Sequence, residues 1–329
     1  MAACSTSKTD LFQNPFNKNS AHHRPIGAGA IYAGDTHPST RDWRKANVIN
    51  INNGTPFGTD VFTVGSTDPI KRINPRAICD NVQNLPISLR MPAGGTNSVL
   101  SNNGAGCPDG DLVVYDRVTG SAHHLRQFLW NNGSPVAGQY RAFDVRGLGH
   151  GTRPYDRLGM AATGVAGLFG VLRGFELNTP GHKIEHALRM GIPRKPGCNI
   201  MLSRQIVLPA IAGDRSASNA GYNTGNIPYG GLMAIPRTIN VAALGLSETG
   251  TRLARAVQQY GIYVGDGGGC AAPGLEADQF VTLANRRSLR ADILKFYPLM
   301  RLVMNNDVLG SPTAGGGAPI GDNCAFDAS

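Results

Sequence analysis

The chain lacks long apolar runs, and this absence excludes one class of protein. No segment approaches the roughly 18 consecutive apolar residues that a membrane-spanning helix needs. Residues 1–27 also lack the basic stretch followed by an apolar stretch that marks a cleavable signal peptide. We therefore predict no membrane span, and a virion or extracellular location that is reached without such a signal, for instance by host lysis.

Closely spaced cysteines are also absent, which argues against a structural zinc site. The chain has six cysteines, and no two have the spacing of a zinc-binding pair. We predict neither a metal nor a cofactor. Cys4 and Cys324 lie in polar terminal segments, where a thiol can reach another subunit. Two interpretations stay open: six reduced thiols, or disulfides that include an intermolecular bond at Cys4 or Cys324.

Charged residues are few, at 16% of the chain, and no run of four basic residues occurs. The formal net charge is nevertheless +9 at pH 7, which favours an anionic partner. The sequence has no zinc finger, aromatic RNA-binding motif or basic helix. A bacterial surface polysaccharide of acidic character is therefore the favoured partner, and nucleic acid is not.

Glycine and proline are abundant, with 43 and 21 residues, and 41% of the chain is hydrophobic. This composition indicates many short elements joined by tight turns around a substantial core. We predict a mainly β fold, a jelly-roll-like sandwich or barrel with one docked helix and a C-terminal helical appendage. The expected divisions are an extended N-terminal arm over 1–20, a β domain over 21–275, and a helical appendage with a Gly-rich tail over 276–329.

Alternation of apolar and polar residues predicts several strands. The clearest pair is a hairpin, in which residues 111–116 lead through a turn into residues 121–130. Further elements are expected as strands over 26–33, 61–64, 85–91, 139–145 and 262–264, a helical turn over 42–46, and a helix from near Ser288 that Pro298 interrupts.

The strongest helix is predicted over 247–260. Ser247 is a suitable N-cap, and Gly261 is a suitable left-handed C-cap. Four residues follow the spacing of one helical face: Leu253, Ala256, Val257 and Tyr260. We expect this face to pack against the sheet.

Residues 141–196 carry three histidines with several arginines and carboxylates on glycine-punctuated segments, which predicts a functional surface there. The residues expected to bind an anionic ligand are Arg146, His150, Arg153 and Arg237. The candidate catalytic residues are His150, Glu176, Glu185, His186, Asp266 and Tyr260. Whether the protein is an enzyme stays undecided.

Two cleavage chemistries can be built from these residues. Glycoside hydrolysis needs two carboxyls that flank the bond. The carboxyls available for it are Asp144, Glu176, Glu185 and Asp266. A lyase acting on a uronic acid needs a base, for which His150 or Tyr260 is available. It also needs a cation beside the substrate carboxylate, which Arg146 or Arg237 could supply.

His182, Glu185 and His186 form an H-x-x-E-H pattern that matches the inverted zincin motif in spacing. The motif needs a helix to place its ligands on one face, whereas Pro180 and Gly181 stand directly before it. A metal site is therefore not predicted, and His186 is expected to form a hydrogen bond within the sheet instead.

Five blocks of the sequence carry a resemblance to a known family. They are NPFNKNSAHHRPIGAGAIY at 14–32, DLVVYDRVTG at 111–120, RGLGHG at 146–151, GVLRGFEL and KIEHAL within 170–188, and LGLSETGTRLARAVQQYGIYVGDGG at 244–268. Together they are similar to an uncharacterised family of secreted bacterial and phage-associated β proteins with I-x-H-A-L and A-L-x-x-Y-G-x-Y-V-x-D blocks. The resemblance implies an extracellular or virion-borne protein that acts on or binds surface polysaccharide.

The chain departs from this family in lacking an export signal and in extending beyond residue 275, which favours a particle-associated role. We expect a virion-associated protein of phage tail or capsid type, or an extracellular protein, that recognises a bacterial surface glycan. It is expected to form a homo-oligomer and to contact neighbouring particle subunits. Two alternatives stay open: a polysaccharide-cleaving enzyme, either a glycoside hydrolase or a lyase, on the same scaffold, and a purely structural particle component.

Overall fold

The computed structural model describes residues 11–46, 49–53, 58–79, 82–94, 110–131, 133–153, 156–195, 198, 200–214, 221–268 and 274–306. The helices formed by this part of the chain are α1 (Pro38–Arg44), α2 (Gly174–Asn178), α3 (Glu248–Gln259) and α4 (Leu283–Phe296). None of these helices has the length and apolar character that crossing a membrane requires.

The strands of the same residues are short. They are β1 (Asn50–Asn53), β2 (Thr59–Val64), β3 (Ile70–Pro75), β4 (Ile87–Arg90), β5 (Asp111–Asp116), β6 (Ser121–Arg126), β7 (Leu129–Asn131), β8 (Ser134–Ala137), β9 (Gln139–Asp144), β10 (Leu188–Pro193), β11 (Leu202–Ile206), β12 (Ile227–Tyr229), β13 (Leu232–Ala234), β14 (Ile262–Gly268), β15 (Gly274–Ala277) and β16 (Arg301–Leu302). The prediction of a mainly β fold is confirmed.

The strands form one six-stranded sheet, two four-stranded sheets and one pair. The six-stranded sheet has the order β1-β15-β10-β14-β13-β16, the two four-stranded sheets have the orders β2-β5-β6-β9 and β4-β3-β8-β7, and β11 pairs with β12. Strands β10 and β14 run parallel, as do β2 and β5. The jelly-roll-like arrangement is not confirmed, because jelly rolls are built from antiparallel strands.

The sheets are stacked, and β5 lies in a layer that is buried on both faces. Val113 and Tyr115 of β5 belong to a core shared with Tyr263 of the six-stranded sheet. Leu112 and Val114, which point the other way because strand side chains alternate, belong to a core shared with β3 and β4. A further core joins the six-stranded sheet to helices α1, α3 and α4.

Helix α3 confirms the strongest helix prediction. The Ser247 hydroxyl accepts the Gly250 N–H at 3.0 Å, as an N-cap does. Gly261 follows the helix with φ +80°, a value that glycine adopts without strain. The four predicted contact residues, Leu253, Ala256, Val257 and Tyr260, are all buried. The strand after the helix, β14, extends beyond the predicted 262–264.

Two local predictions were wrong, and a third had the wrong bounds. Residues 26–33 form no strand, since only Tyr32 makes an isolated bridge, to Val303. The strand predicted over 121–130 ends at Arg126, because Gln127 has φ +57° and turns the chain into another sheet. The helical turn expected over 42–46 is α1, which begins at Pro38, a residue favoured in the first turn of a helix.

Both terminal regions contribute to the fold where the structure describes them. Phe16 is buried against Phe143 and Phe169. Helix α4 packs into the core on the helical side of the six-stranded sheet through Ile293 and Phe296, and β16 pairs with β13. The division into an arm over 1–20, a β domain over 21–275 and an appendage over 276–329 stays a prediction.

Candidate functional site

A polar cavity of about 310 Å³ lies between the six-stranded sheet and the β2-β5-β6-β9 sheet, and we call it the central cleft. Its charged lining consists of Asp111, Arg126, Arg141, Arg157, Arg189, Arg194, Asp214, Asp266 and Glu276. Glycines 159, 191, 213, 267 and 268 also line it, and these leave room for a ligand to approach the backbone.

One wall of the central cleft is the end of the β2-β5-β6-β9 sheet. Asp111, the first residue of β5, is paired in register with Arg126, the last residue of β6. Arg126 is in turn paired with Gln139, the first residue of β9. The register therefore places a carboxylate, a guanidinium and an amide in a row at one end of the sheet, across three neighbouring strands.

The opposite wall is formed by β10 and β14 at their carboxyl ends. The two strands are parallel, and the register shifts so that Met190 pairs with Val264 while Gly191 pairs with Asp266. Gly265 is the extra residue of this bulge, and its carbonyl accepts the Thr163 hydroxyl at 2.6 Å. Bulges re-aim side chains beside functional sites, and here the bulge directly precedes Asp266.

The segment 157–162 holds three of the five arginines of the cleft through its carbonyls. Nη1 of Arg126 donates to the Met160 carbonyl at 3.2 Å, and Nη1 of Arg141 donates to the Arg157 carbonyl at 3.3 Å. Arg157 itself donates to the Ala161 carbonyl at 3.4 Å. These neutral acceptors fix the guanidinium groups without cancelling their charge.

Arg141 and Arg189 are the lining arginines that form no salt bridge with any described carboxylate, and the Nε of each is buried without a hydrogen-bond partner there. Arg189 is only 3% exposed. A Cβ at Gly265 would lie 2.3 Å from the Arg189 side chain, so glycine is needed for this arginine to fit. The Nη atoms of Arg189 donate to neutral groups, the Ala166 carbonyl at 3.3 Å and the Thr59 hydroxyl at 3.4 Å. Burying a guanidinium without an anion in contact is costly.

Two of the four carboxyls of the cleft, Asp266 and Asp111, have opposite pKa shifts. Burial raises the pKa of Asp266 to about 6, although Arg126 and the Gly267 N–H, which donates to Oδ1 at 2.7 Å, both favour its charged form. Burial also acts to raise the pKa of Asp111, but His124, 3.4 Å from Oδ2, together with Arg126 and Arg189, lowers that pKa below its ordinary value.

Among the candidate site residues predicted from the sequence, Asp266 is the one that lines the central cleft. Arg146 lies on an open shallow concavity with Asp144, and Arg153 and Arg237 are exposed elsewhere. Their guanidiniums do not line the cleft. His150 is half-buried, and its Nδ1 contacts the Gly151 carbonyl at 2.9 Å; burial lowers its pKa.

Glu176 and His186 do come together, but away from the cleft. Nε2 of His186 is 2.8 Å from Oε1 of Glu176, and both side chains are buried. The other Glu176 oxygen accepts the Arg173 N–H at 2.8 Å, and the His186 ring stacks on His22 at 4.3 Å between centroids. His186 is thus bonded to a carboxylate as well as to the backbone, and this pair ties α2 to the segment before β10.

The remaining catalytic candidates are poorly placed for chemistry. Glu185 is exposed, and Tyr260 is buried with its pKa raised by burial to about 12. Residues 182–187 are not helical, so His182, Glu185 and His186 do not share the face that a zincin needs. The described residues contain no group of histidine, cysteine or carboxylate side chains that could hold a metal ion.

Two cysteines fall within the described residues, Cys79 and Cys198, and neither is a free thiol. The interpretation of six reduced thiols therefore does not hold at these positions. Cys4 and Cys324, for which an intermolecular bond is predicted, lie outside the described residues.

Sequence reasoning missed Asp111, Arg126, Arg141 and Arg189 as site residues. The first two had a usable signal, since charged residues at the open ends of a predicted hairpin must lie side by side. Arg189 had none, because an arginine in an apolar strand is equally consistent with an exposed position. The comparison of the chain with protein-family models, curated proteins and solved structures gave no match.

Proposed function

We propose that the protein binds an acidic polysaccharide of a bacterial surface in the central cleft, as a virion-associated or extracellular protein assembled with copies of itself. The observation that carries this proposal is the pair Arg141 and Arg189, which line the cleft and form no salt bridge with a carboxylate in the described part of the chain. Guanidiniums recognise carboxylates and sulfates through paired hydrogen bonds. The formal charge of +9 adds a long-range attraction for such a polymer.

The neutral part of the lining suits a sugar. Gln83 and Gln139 line the same cleft, and an amide both donates to and accepts from hydroxyl groups. Gly267 and Gly268 present their backbone there without side chains. A uronic acid carries the carboxylate and the hydroxyls that this combination of groups would bind.

The test is the binding of polygalacturonate, alginate and hyaluronan, with uncharged dextran and a DNA fragment as comparison polymers. The variant is Arg141→Gln, because Arg141 is half-buried on β9 at the edge of its sheet and its loss disturbs little packing. The matched control is Arg255→Gln, which removes the same charge from an exposed position on α3. Calorimetric titration at constant ionic strength gives the dissociation constants.

We expect at least one acidic polysaccharide to bind and dextran not to bind. Arg141→Gln should weaken that binding by about tenfold or more, since one charged hydrogen-bonding pair contributes roughly 1.5–3 kcal/mol. Arg255→Gln should leave it unchanged. Equal losses in both variants, or equal affinity for DNA, would mean non-specific attraction to a basic surface. No binding to any acidic polysaccharide would favour a purely structural particle component.

A further inference from the structure

Of the four carboxyls that line the central cleft, Asp111 on β5 and Asp266 on β14 come from different sheets. Arg126 interacts electrostatically with both of them, and the charge of Asp111 acts on Asp266. Both side chains line the same cavity of about 310 Å³, so one bound molecule can contact both.

The surroundings of the two carboxyls differ. Asp111 has the imidazole of His124 at 3.4 Å, and its side chain is 20% exposed. Asp266 forms no salt bridge with a described residue, and its carboxylate accepts hydrogen bonds from the backbone of Gly267 and of Ala162. A carboxyl without a cation in contact holds its proton more easily than a carboxyl with one. The surroundings therefore favour a protonated Asp266 as proton donor and an ionised Asp111 as its partner.

We infer that the central cleft is a catalytic centre that hydrolyses a glycosidic bond of the acidic polysaccharide, with Asp266 as proton donor and Asp111 as ionised base. This inference rests on the proposed function. Two carboxyls with separated ionisation are the arrangement that glycoside hydrolysis needs.

The step consumes one water for each bond. Asp266 gives its proton to the bridging oxygen as the bond from that oxygen to the anomeric carbon breaks. A water oxygen bonds to the anomeric carbon, and Asp111 takes the proton that this water releases. The products are a new reducing end and a free hydroxyl. Exchange with solvent then returns the proton from Asp111 to Asp266, which restores the starting state.

Elimination, the reaction of a lyase, fits the cleft less well. It removes the proton beside the uronate carboxyl and needs a base such as tyrosine, histidine or lysine. The described residues that line the cleft include none of these three types. In hydrolysis, the role of Arg141 and Arg189 would be to position the uronate carboxylates of the substrate, not to activate those carboxylates.

The experiment uses the full chain and a polyuronate that the wild-type protein binds. New reducing ends are counted, ultraviolet absorbance of unsaturated uronates is followed, and the reaction is repeated in ¹⁸O-labelled water. Asp266→Asn is the main variant and Asp111→Asn the second. The control is Glu248→Gln, which removes an exposed carboxylate on α3. Binding of each variant is measured in parallel.

We expect reducing ends that carry ¹⁸O, and no unsaturated product. Asp266→Asn should lower turnover by about 100-fold or more, the usual contribution of a general acid, while its binding constant changes little. Glu248→Gln should match the wild type. Turnover should fall as pH rises through about 6, because Asp266 then loses the proton that it must donate.

The outcomes that overturn the inference differ from those that overturn the proposed function. Binding without any new ends would remove the catalytic step and leave the binding function in place. Unsaturated products without ¹⁸O would replace hydrolysis by elimination. Full turnover in both Asp266→Asn and Asp111→Asn would exclude these carboxyls as the acid and the base. Absence of binding by the wild type would overturn the proposed function itself.

Discussion

Asp266 is an acidic residue of the central cleft that forms no salt bridge with a described cation. Asp214 pairs with Arg194 at 3.2 Å, and Asp111 has His124 at 3.4 Å, whereas Asp266 has no such contact with a described residue. Burial therefore raises its pKa to about 6, above the ordinary value of 3.8. Above that pH the ionised Asp266 carboxylate lowers the free energy of unfolding. Buried carboxyls with raised pKa values persist in proteins where function requires them.

The stability of an Asp266→Asn variant should reveal this cost. The folded-state pKa is raised, so the stability that Asp266 contributes is present at low pH and is lost as pH rises through about 6. At pH 7 the variant should exceed the wild type in free energy of unfolding by up to about 3 kcal/mol, since one pKa unit corresponds to about 1.4 kcal/mol. The advantage should disappear near pH 4.

Urea unfolding of both proteins across this pH range measures the difference. The matched control is Glu248→Gln, whose carboxylate is exposed; the change should not produce a comparable pH-dependent gain. A variant with the same free energy of unfolding as the wild type at every pH would show that Asp266 titrates normally in the folded protein.

At this scale the sequence identified Asp266 and missed the arginines beside it. Asp266 follows a recognisable strand after a recognisable helix, so its position could be predicted. Arg141 and Arg146 both lie in the glycine-punctuated segment 141–196, and nothing local distinguishes them. Only the strand register shows that Arg141 reaches the cleft while Arg146 points to an open surface.

Helix α3 is the element that local signals specify most completely. Its N-cap, its apolar face and the glycine after its last turn agree with one another, and agreement of this kind indicates a well-determined element. Segment 26–33 shows the opposite case. Ile26 is fully buried, but its N–H donates to the Gln259 carbonyl, outside any strand. Its apolar pattern indicated burial and could not indicate which partner would bind its backbone.

Truncation of Leu253 tests the packing of α3. Leu253 is 1% exposed in the core between the helices and the six-stranded sheet. Leu253→Ala should lower the free energy of unfolding by about 2–5 kcal/mol, the usual result of a large-to-small change in a core. Arg255→Ala, on the exposed face of the same helix, should change it by less than about 0.5 kcal/mol. A loss for Leu253→Ala no larger than that of the control would contradict the docking of α3.

No sequence pattern predicts the bulge between β10 and β14. In the sequence, Gly265 looks like an ordinary glycine within a strand. It is important because it lies close in space to Arg189, a residue far away in the chain. The same holds for the neutral acceptors that segment 157–162 offers to the cleft arginines. Both features depend on contacts between distant segments.

At the scale of the whole molecule, composition predicted a mainly β protein and could not predict how its sheets are stacked. The central cleft exists because the end of the hairpin β5-β6 meets the carboxyl ends of β10 and β14. Asp111 and Asp266 are far apart in sequence, and their approach follows from the order of the strands. The resemblance to secreted and phage-associated proteins, the oligomeric state and the bond at Cys4 or Cys324 stay predictions.

The central claim is that the acidic polysaccharide occupies the central cleft, and arginine footprinting tests it most directly. The protein is treated with phenylglyoxal with and without a bound oligouronate, and the modified arginines are quantified by mass spectrometry. The account predicts protection of Arg141, with Arg255 equally reactive in both samples because it is exposed on α3. Protection of Arg146 and Arg153 with no change at Arg141 would contradict it and would place the ligand on the glycine-rich surface instead.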